Sequence, residues 1–97
     1  PTAGLTLVDI TDRFTAMYYG LDSLGVYVTE SKFTDEIKNG DRIVSVNGTK
    51  VSSEAEVKSI LGDLKVGDKV TFTVARKSGQ FDVPVTLRED VPEKTAE

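Results

Sequence analysis

The chain has no cysteine and no histidine among its 97 residues. Without cysteine there is no disulfide, and the redox compartment cannot be read. Without either residue, neither a Ser-His-Asp nor a Cys-His nucleophilic site can be built. The commonest zinc and copper ligands are missing too, so neither a metal nor another cofactor is expected. No apolar run approaches the roughly 20 residues that span a bilayer, so direct membrane insertion is not expected. No secretory leader is visible; if the parent protein is exported or anchored, that part is expected outside this chain. Charge is mixed: 12 basic residues against 16 acidic ones leave a net −4. That is no basic footprint, and nucleic acid is not an expected partner.

What is present suffices for one domain with one modest core. The most informative stretch runs from Asn39 to Gly48. Asn39-Gly40 reads as a stop and Arg42 to Val46 as a strand. Asn47-Gly48 is a preferred type I′ pair, because both central residues need φ > 0. Lys50-Val51 leaves the turn as a short strand. Ser53-Glu54-Ala55-Glu56 then matches a capping box. Val57, Ile60, Leu61 and Leu64 follow at helical spacing, with Glu54, Lys58 and Asp63 on the polar face. Gly62 stands inside this helix, where it costs up to ~1 kcal/mol relative to alanine.

The flanks complete the pattern. Leu5 to Ile10 is β-rich, with Leu5, Leu7 and Asp9 on one face. Thr11 or Asp12 offers a helix N-cap. Phe14, Met17, Tyr18 and Leu21 form one helical stripe, expected to pack in the core, and Gly20 is its stop. Gly25 to Thr29 is a second strand, and Phe33 to Ile37 is expected to form a short helical turn. Val70, Phe72 and Val74 alternate with polar residues, as do Phe81, Val83, Val85 and Leu87, giving a long hairpin around Ser78-Gly79. Pro84 cannot donate to a ladder, which places its strand at an edge. The expected fold is α+β and mainly β, in the order βαβ(α)ββαββ. Five to six strands form a partly open barrel or sandwich, capped by two to three helices. Residues 1–90 are read as the domain and 91–97 as a charged tail.

In their order and spacing these segments resemble a PDZ domain, in the circularly permuted arrangement of bacterial HtrA/DegP-type serine proteases. The likeness covers nearly all of residues 1–88. Pro1-Thr2-Ala3-Gly4-Leu5 is similar to the family's opening P-x-L-G-I, the counterpart of its carboxylate-binding loop. Asp9-Ile10-Thr11, a short helix and Gly20-Leu21 resemble its first insert. Gly25-Val26-Tyr27-Val28 resembles its G-V-x-V strand, and Gly40-Asp41-Arg42-Ile43 with Asn47-Gly48 its G-D-x-I…N-G signature. Val66 to Val70 resembles the segment after its groove helix. There are departures. Glu30 to Asn39 is shorter and more charged than the family's loop. Ala3 stands where a larger aliphatic residue is usual, and the basic residue that often precedes the loop would fall upstream of Pro1.

The resemblance implies a non-catalytic module that binds hydrophobic C-termini or extended, unfolded segments of other proteins. An attached protease domain and an extracytoplasmic location are implied with it. The loop around Ala3 and Gly4 would receive the terminal carboxylate on consecutive N–H groups, with Gly4 supplying unusual φ and close approach. Leu5-Thr6-Leu7 would offer a strand edge for β-augmentation. The helix from Ser53 to Leu64 would wall the groove, with Leu5, Leu7, Val57, Ile60 and Leu61 lining the last-residue pocket.

Rival readings stand beside these. Gly4 is also a plain turn glycine, and Leu5 and Leu7 are core candidates. The Val57-Ile60-Leu61-Leu64 stripe is core first and lends only its edge to a groove. Ser53 sits at a specificity position of groove helices, yet its capping role is the simpler one. Asp35-Glu36 do not face each other on a helix, and Asp63, Asp68 and Asp82 lack calcium-loop spacing. For the whole, the alternative is a structural or regulatory spacer with an occluded groove, marked by direct contact of Leu5 with Val57. Lon-like, site-2-type and tail-specific proteases remain as other parents.

Overall fold

The structure, a computed structural model, describes residues 2–89. Pro1 and the tail expected at 91–97 lie outside the described residues. The elements are β1 (Leu5–Ile10), α1 (Arg13–Tyr18), β2 (Gly25–Ser31), β3 (Arg42–Val46), β4 (Thr49–Lys50), α2 (Glu54–Gly62), β5 (Lys69–Arg76) and β6 (Gly79–Thr86). The strands pair antiparallel in the order β1-β2-β3-β5-β6, with β4 added to β3. This is the mainly β architecture that the sequence implies, with two of the expected two to three helices among the described residues. β6 is an edge strand, as Pro84 requires.

Alternation along the strands builds the core. Val26 and Val28 of β2, Ile43 of β3, Val70, Phe72 and Val74 of β5, and Val83 and Val85 of β6 are all buried. Val57 and Leu61 of α2 close over them. The hairpin from β3 to β4 turns on Asn47 and Gly48, at φ 51 and 83. Asn47 also ties this turn to β5. Its N–H donates to the Thr71 carbonyl, and its Oδ1 accepts from the Thr71 N–H at 2.8 Å. An asparagine therefore does more here than tolerate a left-handed backbone.

Asp41, from the same stretch, is buried and paired. Arg76 donates to it through Nε and Nη2, each at 2.9 Å, and the Lys38 N–H adds a third bond at 2.8 Å. The fork-on-fork geometry satisfies both carboxylate oxygens. Hydrogen bonding to Asp41 raises the guanidinium pKa further above its ordinary value.

Three expectations are corrected. Residues 33–37 form no helical turn but a run of bends. Here the Ser31 hydroxyl donates to the Thr34 carbonyl, and the Thr34 hydroxyl accepts from the Glu36 N–H. Such local side-chain bonds take the backbone groups a helix would use, while Ile37 drops into the core. Gly62 is the last residue of α2 rather than an interior one. The stripe on α1 is not core: Phe14, Met17 and Tyr18 are 84%, 73% and 83% exposed. The helix has only six residues and docks through Ala16, onto Ile10 and Tyr27 beside Leu21. The large side chains occupy the opposite side. Asp12 is its N-cap, accepting from the Thr15 N–H at 2.9 Å.

Candidate functional site

β1 is the other edge of the sheet. Among the described residues no strand pairs with it on the side that faces α2, and an edge strand presents free backbone donors and acceptors. Leu5 and Leu7, two apart, point the same way and are half-buried. Between them and the helix lies a cavity of about 320 Å³, lined by Thr2, Ala3, Leu5, Leu7, Glu54, Val57, Lys58, Leu61 and Gly62. Val57 and Leu61 form its buried floor. Leu5 and Leu7 themselves pack against the core cluster that includes Val57 and Leu61.

Thr6, between the two leucines, is exposed and turned away. It lines a second cavity of about 480 Å³ with Thr2, Gly4, Leu5, Lys32, Phe33, Arg88 and Glu89. Thr2 and Leu5 border both spaces, so the two adjoin at the N-terminal loop. Gly4 stands there at φ 75, in the left-handed region that favours glycine. Its N–H donates to the Thr2 hydroxyl at 3.1 Å. One of the loop's consecutive donors is therefore already engaged.

The expected site residues divide accordingly. Ala3, Leu5, Leu7, Val57 and Leu61 come together around one cavity. Gly4 and Thr6 border the neighbouring one. Ile60 packs against the core and Ser53 caps α2; neither lines that cavity. The Ser53 hydroxyl accepts from the Glu56 N–H, but Glu56 reaches back one residue further than a capping box expects. Its carboxylate accepts from both the N–H and the hydroxyl of Ser52, at 2.6 and 3.0 Å. These bonds hold the Glu56 carboxyl below its ordinary pKa.

Sequence reasoning missed four contributors. Glu54 and Lys58, read as the polar face of the helix, line the cavity and pair with each other at 3.3 Å. Phe33 and Arg88 reach the loop from distant segments. Thr2 and Arg88 exchange both backbone hydrogen bonds, at 2.9 and 3.0 Å. The Arg88 guanidinium then lies 3.9 Å from the centre of the Phe33 ring. A basic side chain thus stands beside the loop, although it comes from the far end of the domain. Helical spacing exposes the Glu54-Lys58 pair in principle; nothing local signals Arg88.

Comparison with known proteins follows the same lines. A family model described as PDZ domain matches residues 1–87. Serine protease Do-like HtrB of Bacillus subtilis (strain 168) is 37% identical over 100 residues, which cover 90% of this chain and 22% of that protein. Protease Do-like 8, chloroplastic, of Arabidopsis thaliana is 34% identical over 68 residues, 70% of this chain and 15% of that protein. The chain therefore spans only a small part of these relatives. Among solved structures, HtrA-type protease AlgW with decapeptide superposes with a TM-score of 0.81 at 17% identity, covering 94% of this chain and 30% of that one. The PDZ domain of EpsC from Vibrio cholerae gives 0.58 at 19% identity, over 86% of this chain and 93% of that one. At such identities the likeness is one of fold.

Proposed function

Since the chain belongs to the PDZ domain family, we propose that it is the non-catalytic peptide-binding module of an HtrA-like serine protease. Its ligands are hydrophobic C-termini or extended segments of other proteins, which it holds for an attached catalytic domain outside this chain. A location outside the cytoplasm accompanies this reading, by resemblance to HtrA/DegP-type proteases.

The observation that carries the proposal is the edge of β1, set across from α2 over a cavity floored by Val57 and Leu61. An extended peptide adds to that edge as one more strand. Its last side chain enters between Leu5, Leu7, Val57 and Leu61. Burying one aliphatic side chain there contributes roughly 1.5–3 kcal/mol. Its carboxylate meets the N–H groups of the Ala3-Gly4-Leu5 loop, with Arg88 nearby as counter-charge. To bond all three donors, the carboxylate displaces the Thr2 hydroxyl from Gly4. The total is expected near ~8 kcal/mol, on the order of micromolar.

The test is titration of this chain with a library of C-terminal peptides, and with the same peptides amidated. Micromolar binding of hydrophobic C-termini, weakened by amidation, supports the carboxylate loop. Equal binding of both forms keeps the edge and discards the loop. If neither form binds more tightly than millimolar, the groove reading is wrong.

A further inference from the structure

We infer that α1 and its flanks are a contact surface on which two copies of this chain pair about a two-fold axis. The inference is independent of the groove, because it uses the other face of β1. Phe14, Met17 and Tyr18 stand on one side of α1, uncovered by any described residue. The surface does not stop at the helix. The Tyr18 ring meets that of Tyr19 edge-on, 5.1 Å between centres. Tyr19 then shares a cavity of about 400 Å³ with Val8, Ile10 and Leu21. On the other side of Leu21, Met17 shares one of about 200 Å³ with Ala16 and Leu24. Val8 and Leu24 are exposed as well.

At ~200 Å² for a whole aromatic side chain, Phe14, Tyr18 and Tyr19 together expose on the order of 450 Å². Met17, Val8 and Leu24 bring the surface to roughly 700 Å², above the ~300–600 Å² of the largest apolar patch on an ordinary monomer. A standard interface covers about 800 Å² on each partner, so the patch has the area a dimer needs. Two features select a second copy as the occupant. Projecting rings and hollows lie on the same surface, as a two-fold interface requires. A cavity of ~150 Å³ admits a benzene ring, so either hollow has room for the Phe14 or Tyr18 ring of another copy. The rim also carries both signs. Arg13 and Asp22 border the smaller cavity, and neither forms an ion pair among the described residues. A two-fold axis brings Arg13 of each copy to Asp22 of the other. Val8 points away from the face of Leu5 and Leu7, so both grooves stay open in the pair.

The experiment is sedimentation equilibrium of this chain from about 5 to about 500 μM. A monomer–dimer equilibrium is expected with Kd on the order of 100 μM, because the costs of association consume most of the gain. A dimer this weak leaves the dilute chain monomeric, so folding stability does not depend on these side chains. Phe14→Ser and Tyr18→Ser should each weaken pairing at least about tenfold, with circular dichroism unchanged. Val66→Ser, at an exposed apolar residue elsewhere, should leave pairing as it is. Arg13→Asp and Asp22→Arg should each weaken it, and the two together should restore it. Amide shifts that depend on concentration should centre on Val8, Met17 and Leu24. A chain that stays monomeric throughout overturns the inference and leaves the patch to a different partner, the attached catalytic domain first. Growth beyond the dimer overturns the two-fold pairing, as does a double reversal no tighter than the singles. A dimer indifferent to Phe14→Ser and Tyr18→Ser overturns it too. Shifts centred on Leu5 and Leu7 would place one copy's terminus in the other's groove, and the α1 surface would then play no part.

Discussion

The ring of Phe33 fills the space that a side chain at position 4 would need. A Cβ on Gly4 would stand 2.8 Å from the ring carbons Cγ and Cδ1. The backbone makes the same demand on its own account, since Gly4 sits at φ 75. Gly4→Ala is therefore expected to cost about 1–3 kcal/mol, from left-handed strain and overpacking together. In a Phe33→Ala background only the strain remains, and the same substitution should cost measurably less. Urea unfolding of the four proteins measures the coupling. A Gly4→Ala penalty that is equal in both backgrounds would show that the ring plays no part.

Asp41 and Arg76 form a mostly buried pair, the carboxylate nearly dry and the guanidinium partly open to water. Asp41→Ala removes a bidentate partner and leaves the arginine without its counter-charge. A loss of about 3 kcal/mol is expected, the lower end of the range for broken buried pairs, because water still reaches Arg76. Arg76→Lys keeps the charge without the fork and should fall between that variant and the wild type. Denaturant midpoints at neutral pH order the three proteins.

Stability should also fall in acid through the helix caps. Asp12 and Glu56 both have pKa values lowered by folding, Asp12 by the Thr15 N–H and hydroxyl, and Glu56 by the Ser52 N–H and hydroxyl. A carboxyl whose pKa falls on folding stabilises the protein above its unfolded value and loses that contribution as pH drops through the folded one. The decline therefore begins as pH passes 4.5 for Glu56 and 3.8 for Asp12, and continues below. Glu56→Gln retains an acceptor that does not titrate, so its melting temperature should slope less steeply over this range. Thermal melts from about pH 3 to about pH 6 show the difference, and identical slopes would remove Glu56 from the account.

The exposed side chains of α1 give a contrasting expectation. Phe14→Ser or Tyr18→Ser should change stability by no more than about 0.5 kcal/mol, as for an ordinary surface site. Phe72→Ala, in the centre of the core, should cost about 3–5 kcal/mol. Comparable losses at Phe14 and Phe72 would restore the core stripe that helical spacing suggests.

That stripe shows where sequence reading reached its limit. Spacing establishes that Phe14, Met17 and Tyr18 share a side; it does not say what lies opposite them. Asn47-Gly48 was legible because the turn's backbone demand is met within two adjacent residues. Leu5 with Leu7, and Val57 with Leu61, were legible as the two sides of a candidate site, from period-two and helical spacing. What joins the halves was not. Phe33 and Arg88 reach the glycine loop, and Asp9 reaches α2, through pairings between distant segments. The bends at 33–37 escaped for another reason. Serine and threonine hydroxyls captured backbone groups there, and a pattern of apolar residues does not register that competition.

The mutual backbone pairing of Thr2 with Arg88 has a mechanical consequence. Polypeptide joined to both ends departs from a single point, and the two strands part from that point inward. Tension between the ends therefore peels this pair open first, rather than shearing the sheet. The next residues reached are Ala3, Gly4 and Leu5. A pull too gentle to unfold the domain would thus loosen the loop before anything else, and a molecule held by the loop would resist the pull. Force spectroscopy with handles at residues 2 and 88 should show an early, low-force opening that a bound C-terminal peptide delays.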